Sequence, residues 1–182
     1  MDKIFAGKIK GEKIRDGNVV LIIIPADKLI ETNTKILKRY ITGKKNDVVY
    51  VTVNKPFSTL IAHFQKEKID TSKIFIIDAI SPHEVRAQNA VFIKSPKELT
   101  NISITTTSTL EKLKKAKILI FDSISTLMVY NKFEVVKEFI HFISNKMKEL
   151  KVTFVMTCIK EMTDKKTISD LRAFADDIVE VD

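Results

Sequence analysis

Gly17-Asn18-Val19-Val20-Leu21-Ile22-Ile23-Ile24-Pro25-Ala26-Asp27-Lys28-Leu29-Ile30-Glu31-Thr32 is the stretch that decides how this chain folds. From Val19 to Ile24 no polar residue interrupts the run. A strand with one wet face alternates apolar and polar side chains, so an unbroken apolar run predicts a strand covered on both faces, the situation of parallel sheets. Pro25 ends the run. From about Asp27 to Tyr40 the spacing changes to a helical one, with Ile30, Leu37 and Ile41 on one face and Gly43 where the helix would stop. A buried strand followed by a returning amphipathic helix is the opening of a βαβ unit.

The same alternation continues outward. Val48 to Val53 reads as a strand, followed by a helix opened by Pro56 with Phe57, Leu60, Ile61 and Phe64 inward. Ile74 to Asp78 is a third strand and Ala90 to Ile93 a short one. Ser95-Pro96 then opens a helix carrying Leu99, Ile102, Thr106, Leu110 and Leu113 on one face. Ile118 to Asp122 is apolar up to its terminal carboxylate and is expected beside the first strand at the sheet centre. A helix from about Asn131 to Leu150 turns Val136, Phe139, Ile140, Ile143 and Met147 inward, with Asn131 and Glu134 spaced as a capping box. Val152 to Thr157, a helix over Lys166 to Ala175 and Ile178 to Val181 complete the series. The pattern predicts an α/β three-layer sandwich around a central, mainly parallel sheet, with residues 1–182 as one domain. Residues 1–17 form an N-terminal arm or edge strand, in which Ile4, Phe5, Ile9 and Ile14 either add to a partner's sheet or fold back on their own.

Composition narrows the function classes. The chain has 182 residues, 45% hydrophobic and 30% charged, with only 4 Gly and 4 Pro, which excludes long linkers and low-complexity tracts. No apolar stretch approaches the ~18 residues of a membrane helix, and the N-terminus is too charged for a signal-peptide core. Cys158 is the single cysteine, and His63, His83 and His141 accompany no metal-spaced cluster. These features predict a cytoplasmic protein with no membrane contact, no metal and no cofactor. The net charge of +8 is carried almost wholly by lysine, with local runs at Lys8 to Arg15 and Lys112 to Lys117. Arginine is the residue of base readout and bidentate phosphate contact, so nucleic-acid binding through this coat is expected to be weak and sequence-independent.

Open α/β sheets bind ligands outside the carboxyl ends of their strands. That edge would gather Pro25, Asn54, Asp78, Asp122 with Ser123, and Thr157 with Cys158. Asp122 either accepts N–H bonds from the loop that follows it or takes part in a nucleotide-magnesium site, and Asp78 poses the same choice. Ser123 has no histidine at a hydrolase spacing.

Several segments resemble the RecA/KaiC-like ATPases. Ile14-Arg15-Asp16-Gly17-Asn18-Val19-Val20-Leu21 resembles that family's approach to its first strand, and Val49-Tyr50-Val51-Thr52-Val53 with Ile69-Asp70 its second unit. Ile118-Leu119-Ile120-Phe121-Asp122-Ser123-Ile124-Ser125 is similar to the Walker B strand, and Phe174-Ala175-Asp176-Asp177-Ile178-Val179 to the closing segment. The resemblance implies a RecA-like topology, a magnesium-shell role for Asp122 in active members, and nucleotide sites built between subunits.

The departures from the family are as informative. Where the phosphate loop should read G-x-x-x-x-G-K-[ST], the chain has Pro25-Ala26-Asp27-Lys28-Leu29-Ile30-Glu31-Thr32. No glycine lets backbone N–H groups curl round a phosphate, and Asp27 and Glu31 place negative charge where an anion would sit. Active members carry acidic residues after the second strand. Asn54-Lys55 stand there instead, and neither is a general base at neutral pH. The sequence therefore predicts a non-catalytic regulatory or protein-interaction module, paired with itself or with another protein. Two alternatives stay open: an atypical nucleotide binder using Asn54, Asp78, Asp122, Ser123 and Thr157, and a lysine-mediated nucleic-acid-associated protein.

Overall fold

The structure is a computed structural model that describes residues 9–10, 14–43, 46–81 and 87–181. Its elements run β1 (Ile9–Lys10), β2 (Val19–Ile24), α1 (Leu29–Lys38), β3 (Asp47–Thr52), α2 (Phe57–Lys66), β4 (Ile74–Asp78), β5 (Ala90–Phe92), α3 (Leu99–Lys112), β6 (Ala116–Asp122), α4 (Ile124–Tyr130), α5 (Phe133–Leu150), β7 (Thr153–Ile159), α6 (Lys165–Arg172) and β8 (Asp177–Val181). One sheet holds all the strands in the order β1-β8-β2-β7-β6-β3-β4-β5. β2 to β8 are mutually parallel, and β1 is antiparallel to β8.

The unbroken apolar run of β2 is explained by two cores. Val19, Leu21 and Ile23 belong to the core under α3, α4, α5 and α6, whereas Val20, Ile22 and Ile24 belong to the core under α1 and α2. Successive side chains of a strand point to opposite faces, so a strand sandwiched between helical layers needs an apolar residue at every position. β6 divides in the same way, Leu119 and Phe121 facing one layer and Ile118 and Ile120 the other. The result is the three-layer α/β sandwich.

Three sequence expectations are corrected. Ile118 to Asp122 does not lie beside the first strand: β7 pairs with β2 on one side and β6 on the other. Uniform apolarity reports burial on both faces and not the identity of a neighbour, and β7 is buried at every position although it carries Thr153 and Thr157. Second, α4 intervenes before the long helix, capped by Ser123, whose Oγ accepts the N–H of Thr126 at 3.2 Å. Third, Asn131 and Glu134 form no capping box. Asn131 donates its amide to the carbonyls of Pro96 and Leu127, each at 3.1 Å, and α5 begins at Phe133.

Of the N-terminal stretch, Ile9–Lys10 pair with Val181 and Glu180 of the chain's own β8, while residues 1–8 and 11–13 lie outside the described residues. Asp177 fixes the approach to β2. Its carboxylate accepts from Arg15 Nε at 2.9 Å and Asn18 Nδ2 at 2.8 Å, across the turn at which Gly17 takes φ +82°. The Arg15 guanidinium holds this carboxyl below its ordinary range, with Asn18 helping and burial opposing. A depressed folded-state pKa gives stability that is present above the unfolded carboxyl's pKa of ~3.9 and is lost as pH falls through the folded value. Asp177→Ala is therefore expected to cost about 2 kcal/mol at pH 7, the usual size for hydrogen bonds to a charged group. The gap between the urea midpoints of the two proteins should hold above ~pH 4 and narrow as pH falls further; a gap that does not change with acidification would refute the assignment.

Candidate functional site

The carboxyl ends of β4, β3 and β6 lie in one row, with Asp78 and Asp122 both in register with Thr52. Beyond that row, Val53 N–H donates to the Asp122 carbonyl at 2.9 Å, which draws the β3 loop over the end of β6. The Asp122 carboxylate is buried. Tyr50 donates its hydroxyl to Oδ2 at 2.6 Å, and Asn54 Nδ2 approaches Oδ1 at 3.4 Å. Asn33, on the inner face of α1, donates to the Tyr50 hydroxyl at 3.0 Å, while its own Oδ1 is buried without a partner.

Burial is the largest influence on Asp122 and pushes its carboxyl above the usual carboxylate range, against Tyr50, Asn54 and the positive field of Lys55. Burial likewise pushes the Tyr50 hydroxyl far above its ordinary value, with the Asp122 charge adding to it, so Tyr50 remains a donor. Asp122 thus sits in a closed chain of side chains reaching back to α1.

Asp78 lies apart from this network and is fully used. Its Oδ1 accepts the N–H groups of Ile80 at 2.8 Å and Ser81 at 2.9 Å; its Oδ2 accepts Phe57 N–H at 2.7 Å and the Ser81 hydroxyl. One carboxylate therefore terminates β4, shapes its loop and holds the first turn of α2. Thr157 donates to the Phe121 carbonyl at 3.0 Å, tying β7 to β6. Ser123 is the α4 cap, its hydroxyl paired with that of Thr126 at 2.9 Å. Of the sequence candidates, the fold brings Asn54 and Asp122 together and gives Asp78, Ser123 and Thr157 separate bonds of their own.

At the position of the phosphate loop, Ala26–Lys28 form a single 3-10 turn, closed by Lys28 N–H to the Pro25 carbonyl at 3.0 Å. The Ala26 N–H is accepted by Glu161 Oε2 at 3.0 Å, a carboxylate brought from the segment after β7. Glu31 pairs with Lys35 one helical turn on, and that bond holds its carboxyl below the ordinary range. A backbone N–H at this turn thus already carries a carboxylate.

Sequence reasoning missed Asn33, Tyr50 and Glu161. The signal for the first two was a polar group on a face otherwise apolar, since α1 buries Asn33 beside Leu29, Ile36 and Leu37. Glu161 gave none, because its role depends on β7 lying next to β2. No group of three or more His, Cys, Asp or Glu able to hold a metal ion occurs among the described residues. No helix among them is long and apolar enough to cross a membrane.

The parallel sheet with helices on both faces is a three-layer α/β architecture of RecA/KaiC-like fold. The KaiC-like protein PH0186 from the hyperthermophilic archaeon Pyrococcus horikoshii OT3 is similar in structure, with TM-score 0.68 at 15% identity over 92% of this chain and 72% of that one. At that identity the likeness speaks for the fold alone. Residues 32–181 match DUF7504, a family of unknown function, and the chain belongs to that family. No curated protein matches the sequence.

Proposed function

We propose that this protein is a non-catalytic RecA/KaiC-like module that acts through protein contact, with itself or with a related ATPase. The observation that carries this reading is that the polar groups of the carboxyl edge are engaged within the chain: Asp122 by Tyr50 and Asn54, Asp78 by its own loop and α2, and Ala26 N–H by Glu161. A nucleotide would have to displace a carboxylate at the first turn and would find no glycine loop beyond it. Asn54 and Lys55 after β3 supply no base.

Protein contact is supported by the outer surface of the α3–α5 layer, where Ile104 is 62% exposed, Val129 67% and Phe142 48%. Large apolar side chains left in water on adjoining helices favour association.

Two measurements test the proposal. Thermal shift with ATP or GTP, with and without magnesium, is expected to leave the melting temperature unchanged. A native-state ligand at 100 times its Kd would add about 2.7 kcal/mol, so binding could not be missed. A magnesium-dependent rise that Asp122→Ala abolishes would establish the nucleotide-binding alternative instead. Light scattering across a concentration series tests contact: Ile104→Glu with Phe142→Glu should lower the association state, and a strict monomer that recovers no partner by affinity capture removes the grounds for it.

A further inference from the structure

The positive charge of this chain is not spread evenly over its surface. Because β2 to β8 are parallel, the loops that lead into them open on one edge of the sheet, opposite the edge described above. Lys112, Lys114, Lys115 and Lys117 lie in the link from α3 to the start of β6, and Lys151 in the link from α5 to β7. β6 and β7 are hydrogen-bonded neighbours, with Ile118 in register with Thr153, so the two links adjoin. All five lysines are exposed, and none has a carboxylate partner among the described residues. On the far side of β3, Lys73 lines a cleft of about 540 Å³ at the same edge, together with Ser72, Gln88 and Asn89 and with Asp47 as its carboxylate.

We infer that this amino edge of the sheet is a docking surface for the phosphate backbone of a nucleic-acid duplex. The inference does not rest on the reading of the opposite edge. Strands are spaced at ~4.8 Å, so the lysines from β7 across β6 and β3 to β4 span roughly 14 Å, which matches about four phosphates at ~3.4 Å of axis per strand.

The chemistry selects backbone contact over other modes. Single-strand binding needs exposed aromatic rings for base stacking. Of the exposed large apolar residues, Val91, Val129, Tyr130, Val135, Phe142 and Met162 lie on other elements, and Ile104 lies on α3 two turns before Lys112. Phe75 and Leu113 line the cleft but are half-buried against the core, so the patch presents no fully exposed ring to stack on bases and no exposed large apolar side chain to insert into a lipid surface. Arg15 pairs with Asp177, Arg172 with Glu180, and the half-buried Arg39 donates to the Ile14 carbonyl at 3.4 Å, which leaves mainly lysine point charges that read no sequence.

Fluorescence anisotropy with two 20-base-pair DNA duplexes of unrelated sequence tests this on the full chain. About four phosphate contacts predict a log–log salt slope near −3.6, so affinity should fall roughly 100-fold between 50 and 200 mM NaCl, equally for both duplexes. Lys114→Glu/Lys115→Glu/Lys117→Glu should abolish binding, and the milder triple glutamine variant should weaken it at least tenfold with an unchanged circular dichroism spectrum. Lys132→Glu/Lys160→Glu/Lys165→Glu, on the other side of the molecule, should bind as the parent does. The inference is overturned by no duplex binding at 50 mM NaCl, by equal losses in the two glutamate triples, or by capture on phosphatidylserine vesicles without duplex binding.

Discussion

Asp78→Ala is expected to lower the folding free energy by about 4 kcal/mol, more than any other single change at the carboxyl edge. Its carboxylate is the common acceptor for Phe57 N–H, Ile80 N–H, Ser81 N–H and the Ser81 hydroxyl. Alanine leaves all of these without an acceptor, and each buried donor so orphaned costs about 1–3 kcal/mol. Water reaches the partly exposed Ile80 and Ser81 and recovers part of the loss, which keeps the total near 4 rather than higher. Asp78→Asn should cost about half as much, because one oxygen still accepts while the amide group faces donors. Denaturant unfolding at constant slope reads both numbers. A near-neutral Asp78→Ala would mean that this carboxylate is held for a ligand and not for the fold.

Tyr50→Phe should cost about 3 kcal/mol at pH 8 and about 1 kcal/mol at pH 4. The hydroxyl donates to Asp122 and accepts from Asn33, so its removal strands two buried groups. The pH dependence follows from Asp122, whose folded-state pKa is raised, chiefly by burial. A raised carboxyl pKa means that its contribution is full below the unfolded value of ~3.9 and declines as pH rises through the folded value. Removing a donor to the ionised form raises that pKa further, so the loss caused by Tyr50→Phe must grow with pH. Adding Asp122→Asn removes the charge and should recover most of the pH-dependent part. Equal losses at pH 4 and pH 8, with no coupling in the double-mutant cycle, would show that Tyr50 matters only through packing.

The sequence by itself determined the layer architecture. Val19 to Ile24 and Ile118 to Phe121 carry no polar side chain, and only a strand covered on both faces tolerates that. Helical spacing around Leu60 and Phe64, or Val136 and Ile140, named the inward faces, because burial of one stripe is a local property of a helix. The positions of Asp78 and Asp122 at strand ends were legible for the same reason.

Tertiary structure alone decided what those residues do. That β7 separates β2 from β6 depends on which buried strands pair, and apolar runs of equal quality do not encode partners. That order brings Glu161 to Ala26 N–H, residues far apart in sequence, and sets Tyr50 and Asn33 against Asp122. The lysine patch was visible only as a run at Lys112 to Lys117, until the parallel topology put Lys151 beside it. Periodicity reports how much water each residue meets, a one-body property. Hydrogen bonds, ion pairs and charge patches are properties of pairs, and pairs distant along the chain are set only when the whole sheet closes.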